Sequence, residues 1–183
     1  MPRLPEIREK NQLPEKDRDV FDYLMETRGH LSNGFSVLLN SPVLADRIAR
    51  TGTYIRFESV LPAEIRELAA LTTSCETGNR YELLIHTRTC RDLKIAPSTI
   101  DAVVNKASID DAGLEESIPI CAARELIRNH ALSEVTFEAG RKLLGDRGIL
   151  DLVATIGYFS MIAILHVSME VRLPNETQSR NRP

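Results

Sequence analysis

The chain has no tryptophan, and aromatic residues make up only 5% of its 183 positions. A core built here must be mainly aliphatic. It has three cysteines, Cys75, Cys90 and Cys121. They form no CxxC pair and no zinc spacing, which excludes a sequence-encoded metal knuckle and a disulfide framework. They read as reduced, packed thiols of a cytoplasmic protein. There is no excess of positive charge. The formal net charge is −3, and no Lys/Arg-rich block with interleaved aromatics occurs, so the electrostatic footprint of a nucleic-acid binder is missing. There is no signal-peptide core in MPRLPEIREKNQLPEKDRDV. There is also no unbroken apolar run of membrane length. The longest, around 149–171, is interrupted by Asp151, Tyr158, His166 and Glu170 and reads as a buried helix, not a membrane span. Sustained period-two alternation and hairpin signals are absent as well, which removes the β classes.

What remains is a helical chain with 43% hydrophobic and 27% charged residues, enough for a packed core. The expected fold class is all-α, a helical bundle. Pro2, Pro5 and Pro14 mark residues 1–16 as an extended arm, residues 17–173 form one helical domain, and 174–183 is a polar tail. Helices are expected over 18–29, near 34–40, from Pro42 through about Phe57, over 62–75, 79–95, 97–107, 117–131, 133–144 and 147–170. The punctuation is Gly29, Ser41-Pro42, Leu61-Pro62, Thr77-Gly78, Ala96-Pro97 and Gly145. Ser133 with Thr136 and Glu138 suggests a capped start.

One stretch carries chemistry. RELAALTTSCETGNRYELLIH spans residues 66–86. Glu82 and His86 are four apart, so on a helix they share a face. A carboxylate there favours and orients the imidazolium, making a pair able to move protons near neutral pH. A hairpin through Thr77-Gly78 would bring Glu67 back over His86. By spacing alone, an exposed-face Glu/His pair is the commoner arrangement, and two such groups do not make a metal site. Among the other histidines, His30 reads as a solvated loop residue and His130 as a helix-closing cation. His166 reads as a core or interface residue, with a substrate-cavity role open.

The same segment, with the LPAEIRE entry before it and GDRGILDLVATIGYFSMIAILHVSMEV after it, resembles the carboxymuconolactone decarboxylase / alkyl hydroperoxidase D-like family over roughly residues 35–170. The resemblance implies an all-α fold of the alkyl hydroperoxidase D-like type. In the peroxidase branch a CxxC pair precedes the histidine, and a glutamate lies nineteen residues before it. Here Glu67 and His86 fill the last two places, while the cysteine positions fall on Asn79 and Glu82. A thiol–disulfide cycle needs an attacking and a resolving thiol, and Cys75 has no partner nearby in sequence. The decarboxylase branch carries a Glu-three residues-His segment instead, and this implies catalytic roles for His86, Glu82 and Glu67. The implied reaction is a cofactor-independent, acid–base decarboxylation of a small carboxylated lactone or related oxoacid. His86 would donate the proton. Arg66 or Arg80 would bind a substrate carboxylate, and Tyr81 and Tyr158 would line the site or simply pack. The resemblance further implies a homo-oligomer, a trimer or dimer of trimers, with the apolar closing helix and the proline-rich arm as interface elements. The chain is longer than the small decarboxylases, which leaves the substrate open. A thiol-dependent peroxidase and a non-catalytic binding protein on the same fold are the alternatives.

Overall fold

The computed structural model describes residues 1–110 and 112–174, so the expected polar tail lies outside the described residues from 175 onward. Among the described residues there are eight α-helices and no strands. The chain divides into two compact units, Met1–Tyr54 with residues from Leu165 onward, and Ile55–Ile164.

The first unit contains α1 (Asp19–Arg28), α2 (Asn33–Leu38) and α3 (Pro42–Thr53). The arm expected over 1–16 is not wholly extended; it folds into short 3₁₀ turns at Lys10–Gln12 and Glu15–Asp17. Ser32 caps α2 by accepting from the Phe35 N–H at 3.2 Å. Pro42 occupies the first turn of α3, where its missing N–H costs nothing. The arm is fastened by main-chain bonds, Ile7 N–H to Ser36 O at 2.8 Å and Arg3 N–H to Met169 O at 3.0 Å. Glu6 also forms ion pairs with Arg8 and Arg172. His166 is buried in this unit against the backbone of Gly34. His30 is half-buried, its Nδ1 2.9 Å from Arg28 O.

The second unit holds the site. It opens with a π-helical turn, Tyr54–Glu58, at the unit boundary, followed by α4 (Ala63–Glu76), α5 (Arg80–Asp92), α6 (Pro97–Val104), α7 (Leu114–Asn129) and α8 (Glu134–Ser168), whose last residues, from Leu165, belong to the first unit. The helix expected to continue to Phe57 thus stops at Thr53, where the backbone widens from α to π. α4 is the centre of the unit and packs against α5, α6 and α7. One apolar cluster joins Ile65 and Ala69 of α4 to Ile118, Ala122 and Ala123 of α7 and to Ile149, Leu152 and Ile156 of α8. A second joins Leu68, Leu71 and Cys75 of α4 to Cys90 of α5, Ile100 and Val103 of α6 and Ile120 of α7. The core is aliphatic, as the scarcity of aromatics requires.

Three junctions set the geometry. Gly78, at φ 70°, turns α4 into α5. His130, at φ 60°, closes α7 in the left-handed conformation, so its structural reading becomes a cap. α8 is two helical runs joined at Gly145, whose φ 72° and ψ 175° are open almost only to glycine. Ser133 caps its start by accepting from the Thr136 N–H at 3.2 Å. By length and composition α8 could cross a bilayer, yet 56% of its apolar stretch is buried inside this fold, the pattern of a core helix.

Candidate active site

α4 and α5 form a helical hairpin that buries three ionisable side chains, one from α4 and two from α5. Glu67 enters from α4. Glu82 and His86 enter from α5, one turn apart. All three are buried; His86 is 1% exposed, Glu82 4% and Glu67 8%. The exposed-face alternative for Glu82 and His86 therefore does not hold.

His86 Nδ1 lies 2.6 Å from Glu67 Oε2. An ionised carboxylate can only accept, so Nδ1 carries the proton and donates it. On the opposite side of the ring, Nε2 lies 3.2 Å from Glu82 Oε2, an ion-pair distance without the alignment of a good hydrogen bond. The third neighbour is Phe159 of α8, packed edge-to-face with the imidazole at 4.6 Å between centroids and 87° between planes. The imidazole is thus held between two carboxylates and against an aromatic ring.

Burial works against charge at both ends of the pair. Burial alone would push Glu67 upward. The charge and hydrogen bond of His86, with the charges of Arg56 and Arg66, outweigh it and hold the carboxyl at about 2. Burial would lower His86; the charges of Glu67 and Glu82 and the hydrogen bond to Glu67 outweigh it and raise its pKa above the ordinary imidazole value. An imidazolium between two carboxylates has a partner for the proton on each ring nitrogen. The carboxylates lie on opposite ring nitrogens and surround the ring instead of converging with it on one point. Among the described residues no three His, Cys, Asp or Glu side chains are placed to hold a metal ion.

The remaining expected residues divide. Arg66 is half-buried, with Nε 3.5 Å from Glu67 Oε1. Arg80 is exposed at the start of α5, and no hydrogen bond or ion pair joins it to the cluster. Tyr81 and Tyr158 are both buried, and Tyr158 packs edge-to-face on Phe159 at 5.2 Å. Sequence reasoning missed Phe159 and Arg56. Phe159 lies in the long, mostly apolar closing helix beside Tyr158, where nothing in its own type sets it apart from core packing, and Arg56 sits in the π-helical turn. Of the three thiols, Cys90 lies close enough to the site for the charge of Glu67 to act on it. Cys75 Sγ donates to Val103 O at 3.3 Å, and burial raises its pKa. Burial pushes the buried Cys90 up to about 12.

Residues 42–117 match the model of the carboxymuconolactone decarboxylase family. No curated protein matches the chain. Among solved structures the chain is similar to an alkylhydroperoxidase AhpD core, an uncharacterized peroxidase-related protein from Ralstonia eutropha JMP134. The identity is 21% over 100% of this chain and 98% of that one, with a TM-score of 0.77. It is similar to an uncharacterized peroxidase-related protein from Silicibacter sp. TM1040, with 20% identity over 97% and 96% of the two chains and a TM-score of 0.74. It is also similar to the debrominase Bmp8, with 16% identity over 91% and 89% and a TM-score of 0.67. At these identities the likeness is one of fold. The family segment contains Glu67, Glu82 and His86; Tyr158 and Phe159 lie beyond it. The chain therefore carries a carboxymuconolactone decarboxylase family segment at residues 42–117, within an all-α fold of the alkylhydroperoxidase D type.

Proposed function

We propose that this protein is a cofactor-independent acid–base enzyme acting on a small carboxylated lactone or related oxoacid. The observation that carries the reading is the buried Glu67–His86–Glu82 array, with one imidazole nitrogen fixed and the other facing a second carboxylate. In a decarboxylation the C–C bond to the carboxyl breaks and CO₂ leaves. The electron pair enters a dienolate conjugated with the lactone carbonyl. A proton then returns to carbon. Glu67 holds Nδ1, so Nε2 is the nitrogen that gives up the proton, on the side facing Glu82. Arg66, beside Glu67, is the better placed of the two expected arginines to receive a substrate carboxylate, since Arg80 is exposed and not joined to the array.

The relatives named for peroxidase and debrominase activity raise a thiol reading for this fold. Here the two cysteine positions of the thiol branch are Asn79 and Glu82, and Cys75 and Cys90 are buried with raised pKa values, so the support favours acid–base chemistry.

The same reading includes a homo-oligomer, a trimer or dimer of trimers. Leu150, Ala154, Gly157, Met161 and Ile164 follow one another at heptad spacing on an exposed face of α8, with Leu150 66% and Ile164 67% exposed. Light scattering of the purified protein tests this, and a monomer would count against it. The test of function is CO₂ release from carboxymuconolactone beside a His86→Ala variant. Loss of turnover by about a hundredfold or more is expected if His86 is the proton donor. Turnover that survives the substitution would refute the assignment.

A further inference from the structure

We propose that Asn79 is a substrate-binding residue, whose side-chain amide donates a hydrogen bond to the carbonyl oxygen of a small lactone or oxoacid. The proposal rests on the acid–base reading above and names the group that would hold the oxygen on which negative charge develops.

Asn79 is the N-cap of α5 and is 2% exposed. Nearly every polar atom of this residue is accounted for. Its backbone N–H donates to Ser74 O at 2.9 Å, and its backbone oxygen accepts from the Leu83 N–H at 2.9 Å. Its Oδ1 accepts from the Glu82 N–H at 3.4 Å, the capping bond. That bond settles which end of the amide is which, so the nitrogen is the end turned away from the helix terminus. Nδ2 alone has no partner. A buried donor without an acceptor destabilises a fold, and most folds avoid it.

The pattern Asn79-x-x-Glu82 is that of a capping box, in which the glutamate would reach back to the cap N–H. That is not what occurs. Ser74 O has already taken the Asn79 N–H, and the Glu82 carboxylate faces His86. A cap needs only Oδ1, and serine or aspartate would serve equally well. The amide nitrogen is therefore surplus to capping. Asn79, Glu82 and His86 follow at i, i+3 and i+7 and occupy one face of α5. The orphan donor is thus on the face that carries the proton-transfer groups. In the proposed reaction the electron pair released with CO₂ ends on the carbonyl oxygen. A fixed N–H there stabilises the enolate more than the ground-state carbonyl.

The experiment is an NMR titration of the full-length protein with γ-butyrolactone, a neutral carbonyl probe. It follows the Asn79 side-chain amide and the His86 ring N–H signals, in the wild type and in Asn79→Ser and Asn79→Asp. The expected result is a saturable downfield shift of one Asn79 amide proton. Both variants should bind about tenfold more weakly while retaining the Glu82 N–H capping signal. Asn79→Asp keeps the shape and the cap if the serine variant loosens α5, and the neutral probe removes charge repulsion from the comparison. An unmoved Asn79 signal, or unchanged affinity in the variant that keeps its cap, overturns the proposal. If the His86 signals respond in that case, the acid–base reading stands without it. If Asn79 responds but His86 is a neutral ring with a single N–H at pH 6.5, the proposal stands and the acid–base reading falls.

Discussion

The Glu67–His86 pair makes a quantitative demand on acid stability. Glu67 ionises at about 2 in the folded chain, against an ordinary value of 4.5. At 1.36 kcal/mol for each pH unit, that difference is worth about 3 kcal/mol of folding stability at neutral pH. The sign follows from the direction. A carboxyl depressed by folding contributes fully above its unfolded value, and the contribution is lost as pH falls through the folded one. Between pH 7 and pH 3 about 2 kcal/mol should disappear from this group alone, a substantial part of the 5–15 kcal/mol typical of a folded domain. Glu67→Gln has no such titration. Urea unfolding followed by circular dichroism at pH 7, 5, 4 and 3 gives both curves. The wild type should lose about 2 kcal/mol more than the variant over that range. Parallel curves would refute the reasoning, because they would mean that Glu67 is not ionised beside a cationic His86. His86 supplies the opposite arm. Its raised pKa contributes stability that is complete below 6.5 and is lost as pH climbs through the folded value. The two arms describe one interaction from its two ends and are not to be added.

Other outcomes are equally concrete. His86→Ala leaves two buried carboxylates, Glu67 and Glu82, without the cation between them, and should cost about 3–5 kcal/mol in urea unfolding at pH 7. A loss under 1 kcal/mol would contradict the buried pair. Gly145→Ala forces a side chain onto φ 72° and ψ 175°. It should lower stability by about 1–3 kcal/mol, and an unchanged melting temperature would refute the kink. Gly34→Ala places a methyl group into His166 Nε2. A comparable destabilisation, about 1–3 kcal/mol by thermal melting, is expected from overpacking. With a thiol-reactive chromophore, half-buried Cys121 should react before buried Cys75 and Cys90. Cys90 reacting as fast as Cys121 would contradict its thiol pKa of about 12.

Most helix starts were legible because they are chemical events at single residues. Pro42 and Pro97 stand in first turns, and Ser133 is a cap. The break inside α8 was legible for the same reason, since Gly145, with Gly148 close after it, stands in the polar stretch RKLLGDRG between two helical patterns. The π-helical turn after Thr53 was not, because a change of hydrogen-bond register alters no residue type in a way the pattern reports. Nor does the pattern of helices predict the division into two compact units, which depends on tertiary contacts.

The site shows the same boundary between local and tertiary information. Helical spacing put Glu82 beside His86, and the family resemblance supplied Glu67. Neither could decide between a solvated pair and a buried one, because burial depends on what closes over α5. Phe159 is part of that closure, and it comes from a helix distant in sequence, where spacing along α5 cannot report it. Glu82 is the sharper case. Its sequence context, Asn-x-x-Glu at a helix start, points to a cap. The cap N–H is taken by Ser74 O before Glu82 can reach it, and the carboxylate turns to the imidazole instead. One backbone hydrogen bond, made across the Gly78 turn, therefore separates a helix-capping glutamate from an acid–base partner. That bond is a property of the turn's geometry and not of the four residues that would have been read as a motif.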